Sequence, residues 1–121
     1  MNTCYLKESA YIFKTVLGNI GFTSGLNYWE ILPENTTENE MKVGISCGED
    51  FSMDSAFCDY NHGWAFYGLG SIRHGSNSAG QNYGRKFKNS GVLGLYLDMN
   101  KGTISFSLDG QNLGIAFNDK Q

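Results

Sequence analysis

Cys58 and His62 are the first pair whose types could do chemistry, since a thiol beside an imidazole can be held as the nucleophilic thiolate. They share one connecting segment with no acid identifiable as an orienting group, so structural roles are expected for both. Cys47, Cys58, His62 and His74 offer metal-ligand chemistry, yet none of the close paired spacings of a zinc site is present. Glu49, Asp50, Asp54 and Asp59 lack the alternating carboxylates and turn glycine of a calcium loop, and read as a solvated acidic edge. Gly68-Leu69-Gly70 and the later glycines do not follow a strand and open a helix, so no phosphate cradle is implied. Neither a catalytic residue, a metal nor a cofactor is expected. Arg73, His74 and Tyr83 stand apart: a forked donor, a titratable ring and an aromatic plate flank a polar segment rich in Ser, Asn and Gly. Loops held by a rigid scaffold carry function, so these residues are expected to line a recognition edge.

The elements that must position them are strands. Leu93, Leu95 and Leu97 alternate with Val92, Gly94 and Tyr96, and Ile104, Phe106 and Leu108 alternate with Thr103, Ser105 and Ser107. Asp109-Gly110 between two such runs predicts a two-residue hairpin, and Gly102 supplies the left-handed position of a longer one. Simple pairing across Asp109-Gly110 sets Leu108 against Gln111, Phe106 against Leu113 and Ile104 against Ile115, with Phe117 also inward. Upstream, Trp29 and Ile31, then Met41, Val43 and Ile45, then Trp64 and Phe66 repeat the pattern, and these aromatics are expected in the core. Residues 33–40 read as an exposed loop; 47–62, with Phe51, Met53, Phe57 and Tyr60, as a connection lying across one sheet. Gly68 to Gly70 predicts a bend and 71–82 a mobile polar loop, while in the opening stretch the helical spacing of Leu6, Ala10, Phe13 and Leu17 competes with the β-formers of 11–17.

With 121 residues the chain suits one domain, and 16 glycines against one proline suit many tight turns, favouring an all-β fold. A net charge of −3 with scattered bases argues against nucleic acid as a direct ligand. No apolar run approaches the ~20 residues of a membrane span. Three cysteines without a metal pattern suit a reducing compartment, cytoplasmic or nuclear. The glycosylation sequon Asn35-Thr36-Thr37 matters only in a secreted chain.

Tyr83-Gly84-Arg-Lys-Phe87, Gly94-Leu-Tyr-Leu-Asp98, Gly102-Thr-Ile-Ser-Phe-Ser-Leu-Asp-Gly110 and Leu113-Gly-Ile-Ala-Phe117 together resemble the SPRY domain, the core of the larger B30.2 module. Ser24-Gly25-Leu-Asn-Tyr-Trp-Glu-Ile31, Lys42-Val-Gly-Ile-Ser46 and Gly63-Trp-Ala-Phe-Tyr67 match its other signature strands in order, so the resemblance covers roughly residues 11 to 117 of a single domain spanning 1–121. It implies a two-sheet antiparallel β-sandwich, concanavalin-like, with residues 11–17 as a strand, and a non-catalytic module that holds a short peptide or partner protein through loops at one end. Such domains sit in larger chains: ubiquitin-ligase components, RNA helicases or scaffolds. The rough family position of residues 72–74 adds Ile72 to Arg73, His74 and Tyr83 as partner-binding candidates. A carbohydrate-binding, lectin-like sandwich is the alternative, to be separated by a glycan array with and without calcium. Two departures stand out. Ser90-Gly91 replaces the family's usual Gly-Asp, and the family continues with further strands where this chain stops at Gln121. The resemblance therefore implies a sandwich lacking its C-terminal strands and completed from outside, by strand exchange in a homodimer or by another segment of the parent protein, unless Met1 to Leu17 fills the gap.

Overall fold

The computed structural model describes residues 13–18, 20–33, 40–48, 52–76, 80–87 and 91–118. The expectations on residues 1–12, on most of the 33–40 loop with its sequon, and on Glu49, Asp50, Phe51 and Ser90 lie outside the described residues. Eight strands are described: β1 (Leu26–Ile31), β2 (Lys42–Ser46), β3 (Gly63–Tyr67), β4 (Ser71–His74), β5 (Gln81–Asn82), β6 (Leu93–Asp98), β7 (Thr103–Leu108) and β8 (Gln111–Asn118). They form two four-stranded antiparallel sheets, ordered β1-β6-β7-β8 and β2-β3-β4-β5.

The alternation places the core. Leu93, Leu95, Leu97, Ile104, Phe106 and Leu108 are buried from one sheet, and Val43, Phe66 and Ile72 from the other. Phe66 stands at the centre, its ring 4.7 Å from Phe87, 5.2 Å from Tyr83 and 5.3 Å from Phe106. Trp29, Ile31, Met41 and Ile45 pack partly buried against this cluster, on the faces their spacing assigns.

The turns follow their residues. Asp109 and Gly110 both take positive φ, 52° and 81°, the backbone of a primed two-residue turn. The Asp109 carboxylate accepts from the Val92 N–H at 2.9 Å. A side chain at position 91 would collide with that carboxylate, so glycine there leaves room for the contact. Asp98 Oδ1 accepts from the Asn100 and Lys101 amides at 3.0 Å each, closing the β6-β7 loop.

The register of β8 departs from simple alternation. Leu108 faces Gln111 and Ser107 faces Asn112 as expected, but Ser105 pairs with Ile115 and Ile104 with Phe117. Each shift inserts one extra residue into β8, and each flips the side-chain parity. The first shift turns Ile115 outward, 63 % exposed, and the second returns Phe117 to the core. Ile115 is thus a surface residue, contrary to the expectation. Gly114, at φ 95°, supplies backbone that other residues rarely adopt.

Residues 71–82 are also not a continuous loop. Ser71–His74 is β4, fully in the sheet beside β3, with Ser71 and Ile72 buried. Pairing with β3 satisfies the backbone that the Ser/Asn/Gly composition was expected to leave exposed.

The 47–62 connection lies on the outward face of the β2-β3-β4-β5 sheet, as its apolar content suggested. Ala56 and Cys58 pack on Ala65, around a 3₁₀ turn at Phe57–Asp59. Gly63 and Ala65, the outward positions of β3 beneath this connection, are small for this reason: a Cβ on Gly63 would overlap the Phe57 carbonyl. Residues 13–17 are not a strand. They strap the connection instead: Thr15 donates its N–H to Met53 O (2.8 Å) and its hydroxyl to Ser55 O (2.6 Å), and accepts from Phe57 N–H (3.1 Å). Lys14 pairs with Asp54 at 3.1 Å. This part of the N-terminal segment therefore lies on the other sheet and does not pair with β8.

Candidate functional site

Strand ends from both sheets converge at one end of the sandwich. There β2 and β4 end and β3 begins in one sheet, while β6 and β8 end and β7 begins in the other. Antiparallel pairing sets Ile45, Trp64 and His74 side by side in one sheet and Leu97, Ile104 and Phe117 in the other, and the packing of the sheets brings the two sets together. Between them lie two cavities. The first, about 270 Å³, is lined by Ile72, Arg73, His74, Ser76, Gly80, Gln81 and Phe117. The second, about 230 Å³, is lined by Ile45, Trp64, Leu97, Gly102, Ile104, Phe117 and Asn118. Phe117 belongs to both, so it forms the partition of a two-lobed cleft.

Strand alternation decides what each candidate residue can do. Ile72 and His74 point between the sheets, whereas Arg73 points to the outward face. His74 stacks on Trp64 at 4.5 Å with the rings 7° from parallel, and lies edge-on to Phe117 at 6.3 Å. Its Nδ1 lies 2.9 Å from the Gly63 carbonyl, which as an acceptor selects the tautomer with the proton on Nδ1. The imidazole is thus held rigidly beside the first lobe. Arg73 lays its guanidinium carbon 4.8 Å over the Tyr67 ring, and its buried Nε has no hydrogen-bond partner. The Tyr67 hydroxyl donates to Glu40, and burial followed by that hydrogen bond pushes the phenol up to about 12. Lys42 rests 3.2 Å above the Phe13 ring and 4.6 Å from Tyr67, and burial lowers its pKa. Two cations therefore share the aromatic ring behind the cleft.

Tyr83 is not brought to either lobe. Its hydroxyl accepts from Phe106 N–H at 3.2 Å and donates to Gly114 O at 2.5 Å. Phe106 stands opposite the first register shift of β8, where the ladder offers its N–H no partner. Tyr83 supplies the missing rung across the two sheets, and burial raises its phenol pKa. Sequence reasoning missed Trp64 and Phe117 as cleft residues, because alternation marks them only as inward.

Cys58 is fully buried, and burial pushes its thiol up, away from a nucleophilic thiolate. His62 stacks on Tyr60 at 5.6 Å. Among the described residues no three of His, Cys, Asp and Glu converge on a point where they could hold a metal ion. No helix among them is long and apolar enough to cross a membrane.

Comparison with known proteins adds a family. The family described as SPRY domain matches residues 27–121. The Drosophila melanogaster protein gustavus is 33% identical over 117 residues, covering 84% of this chain and 41% of that protein. The ATP-dependent RNA helicase DDX1 of Xenopus laevis is 38% identical over 100 residues, covering 80% of this chain and 12% of the helicase. The chain thus spans less than half the length of these relatives. Among solved structures, the crystal structure of the SPRY domain of human HERC1 superposes with a TM-score of 0.66 at 26% identity, over 85% of this chain and 64% of that one.

Proposed function

The chain belongs to the SPRY family, and from that premise we propose that it is a non-catalytic recognition module holding a short peptide or partner protein in the two-lobed cleft around Phe117. Ile72, His74 and Arg73 serve the first lobe, Trp64 the second, and Tyr83 braces the sheets behind them. The observation that carries this reading is the pair of cavities sharing one aromatic partition at the loop-bearing end of a rigid sandwich. Apolar walls with few polar groups suit the side chains of an extended segment.

Affinity capture from the source cell, with wild type and the Arg73→Ala/His74→Ala double variant side by side, tests it. Loss of a protein retained by wild type is expected, with an unchanged fold. Equal retention by both would sink the reading.

Two further points belong to it. Among the described residues β8 is the outermost strand of its sheet, which supports completion from outside by a second copy or another segment of a larger protein. Light scattering at micromolar concentration tests this, and a stable monomer that binds no hydrophobic dye would count against it. Among the described residues Cys47, exposed, and Cys58, buried, are free thiols, which supports a reducing, cytoplasmic or nuclear setting.

A further inference from the structure

The outward face of the β1-β6-β7-β8 sheet carries a second constellation, turned away from the cleft. Tyr28 on β1 stands opposite Tyr96 on β6, with ring centroids 4.4 Å apart and planes inclined 40°. Glycine occupies position 94, and a Cβ there would stand 2.9 Å from both the Tyr28 hydroxyl and its ring edge. The Tyr28 ring therefore lies down along the sheet over Gly94. Tyr28 is 46 % exposed, so part of its aromatic surface stays open to solvent.

A carboxylate is fixed beside that ring. The Tyr28 hydroxyl donates to Glu30 Oε2 at 2.7 Å, and this bond is the main reason its phenol is pushed up to about 12. An ionised carboxylate has about four acceptor sites, of which Tyr28 takes one. Asp98 adds a second negative charge at the end of β6, where its Oδ1 also closes the turn. β1, β6, β7 and β8 contain no lysine or arginine at all; their charged residues are Glu30 and Asp98. The face thus offers an aromatic plate, an adjoining carboxylate and an acidic field, with no cation of its own strands to fill them.

We propose that Tyr28, Tyr96 and Glu30 form a second recognition surface, for an arginine-bearing segment of a partner protein. A guanidinium is planar and weakly hydrated, so it stacks on the open aromatic surface of Tyr28 while its forked N–H groups reach Glu30. An ammonium satisfies the charge but not the stack. A neutral group satisfies neither. The surface faces away from the Phe117 cleft, so the two sites operate independently.

The test uses fluorescein-labelled peptides of sequence Ser-Gly-Ser-Arg-Gly-Arg-Ser-Gly-Ser, with citrulline and lysine versions, read by anisotropy at low ionic strength. The arginine peptide is expected to bind, with a loss of about tenfold or more for citrulline and several-fold for lysine. Tyr28→Leu should weaken binding by about tenfold and Glu30→Gln by about fivefold, while Arg73→Ala leaves it unchanged. Tyr28 and Glu30 are exposed, so both variants should melt like wild type. Equal binding of citrulline or lysine peptides would overturn the guanidinium assignment. Affinity within twofold of wild type in Tyr28→Leu, loss in Arg73→Ala, or no saturable binding at millimolar peptide would overturn the site. None of these results bears on the cleft, whose own test reads a different partner through Arg73 and His74.

Discussion

Removing the side chain of Ile115 separates the two registers available to β8. Under simple alternation from the Asp109-Gly110 turn, Ile115 would lie in the core against Ile104, and Ile115→Ala would cost about 2–5 kcal/mol. In the structure Ile115 pairs with Ser105 on the outward face and is 63 % exposed. Burying an isoleucine completely contributes about 1.5–3 kcal/mol, so the third of it that is covered accounts for under about 1 kcal/mol. Phe106 provides the upper scale. It is fully buried, its ring 5.3 Å from Phe66 and 6.1 Å from Tyr83, so Phe106→Ala should cost about 3–5 kcal/mol. Ser105→Ala, on the outward face, should cost under about 0.5 kcal/mol. At about 4 °C per kcal/mol for a chain this size, the Phe106 variant should melt roughly 15 °C below wild type and the other two within a few degrees of it. Urea melts with unchanged slopes would show that stability, and not the denatured ensemble, has moved. Ile115→Ala falling beside Phe106→Ala would refute the double bulge.

Tyr83→Phe should lose about 1–3 kcal/mol of stability, the cost of stranding a part-buried N–H at Phe106, while partner capture by the folded protein persists. Spectrophotometric titration should show Tyr28 and Tyr67 ionising near pH 12 rather than 10, and Glu30→Gln should bring Tyr28 back toward 10. Because the folded-state values are raised, the stability linked to these phenols is complete below about pH 10 and is lost as pH rises through about 12; a melting temperature flat from pH 9 to 12 would contradict this. Cys47 should react with a mild thiol reagent at neutral pH and Cys58 should not until the chain unfolds, as mass spectrometry of the labelled peptides would reveal.

Local chemistry carries far in this chain, because strand faces and turns depend on near neighbours. The alternation at Leu93–Leu97 and Ile104–Leu108 predicts the buried face of β6 and β7 without reference to anything distant, since a period of two leaves one choice once one face is apolar. Asp109-Gly110 and Gly102 likewise announce their turns through the φ values they tolerate. The motifs that spell these strands also place the chain in its family.

Other features depended on distant partners. Nothing near Ile115 in sequence reveals that β8 accommodates two extra residues. Gly114 permits the distortion, but the hydroxyl that satisfies the displaced backbone comes from Tyr83, thirty-one positions earlier. The strand at Ser71–His74 was hidden by its polar composition, because such residues become strand only when β3 accepts their backbone hydrogen bonds. Arg73 and His74 are adjacent in sequence, yet the pleat sends one to the Tyr67 ring and the other to Trp64. The cleft itself is written in no single segment. It exists because antiparallel order gathers strand ends of both sheets, and because Phe117, returned inward by the second bulge, divides the space they leave.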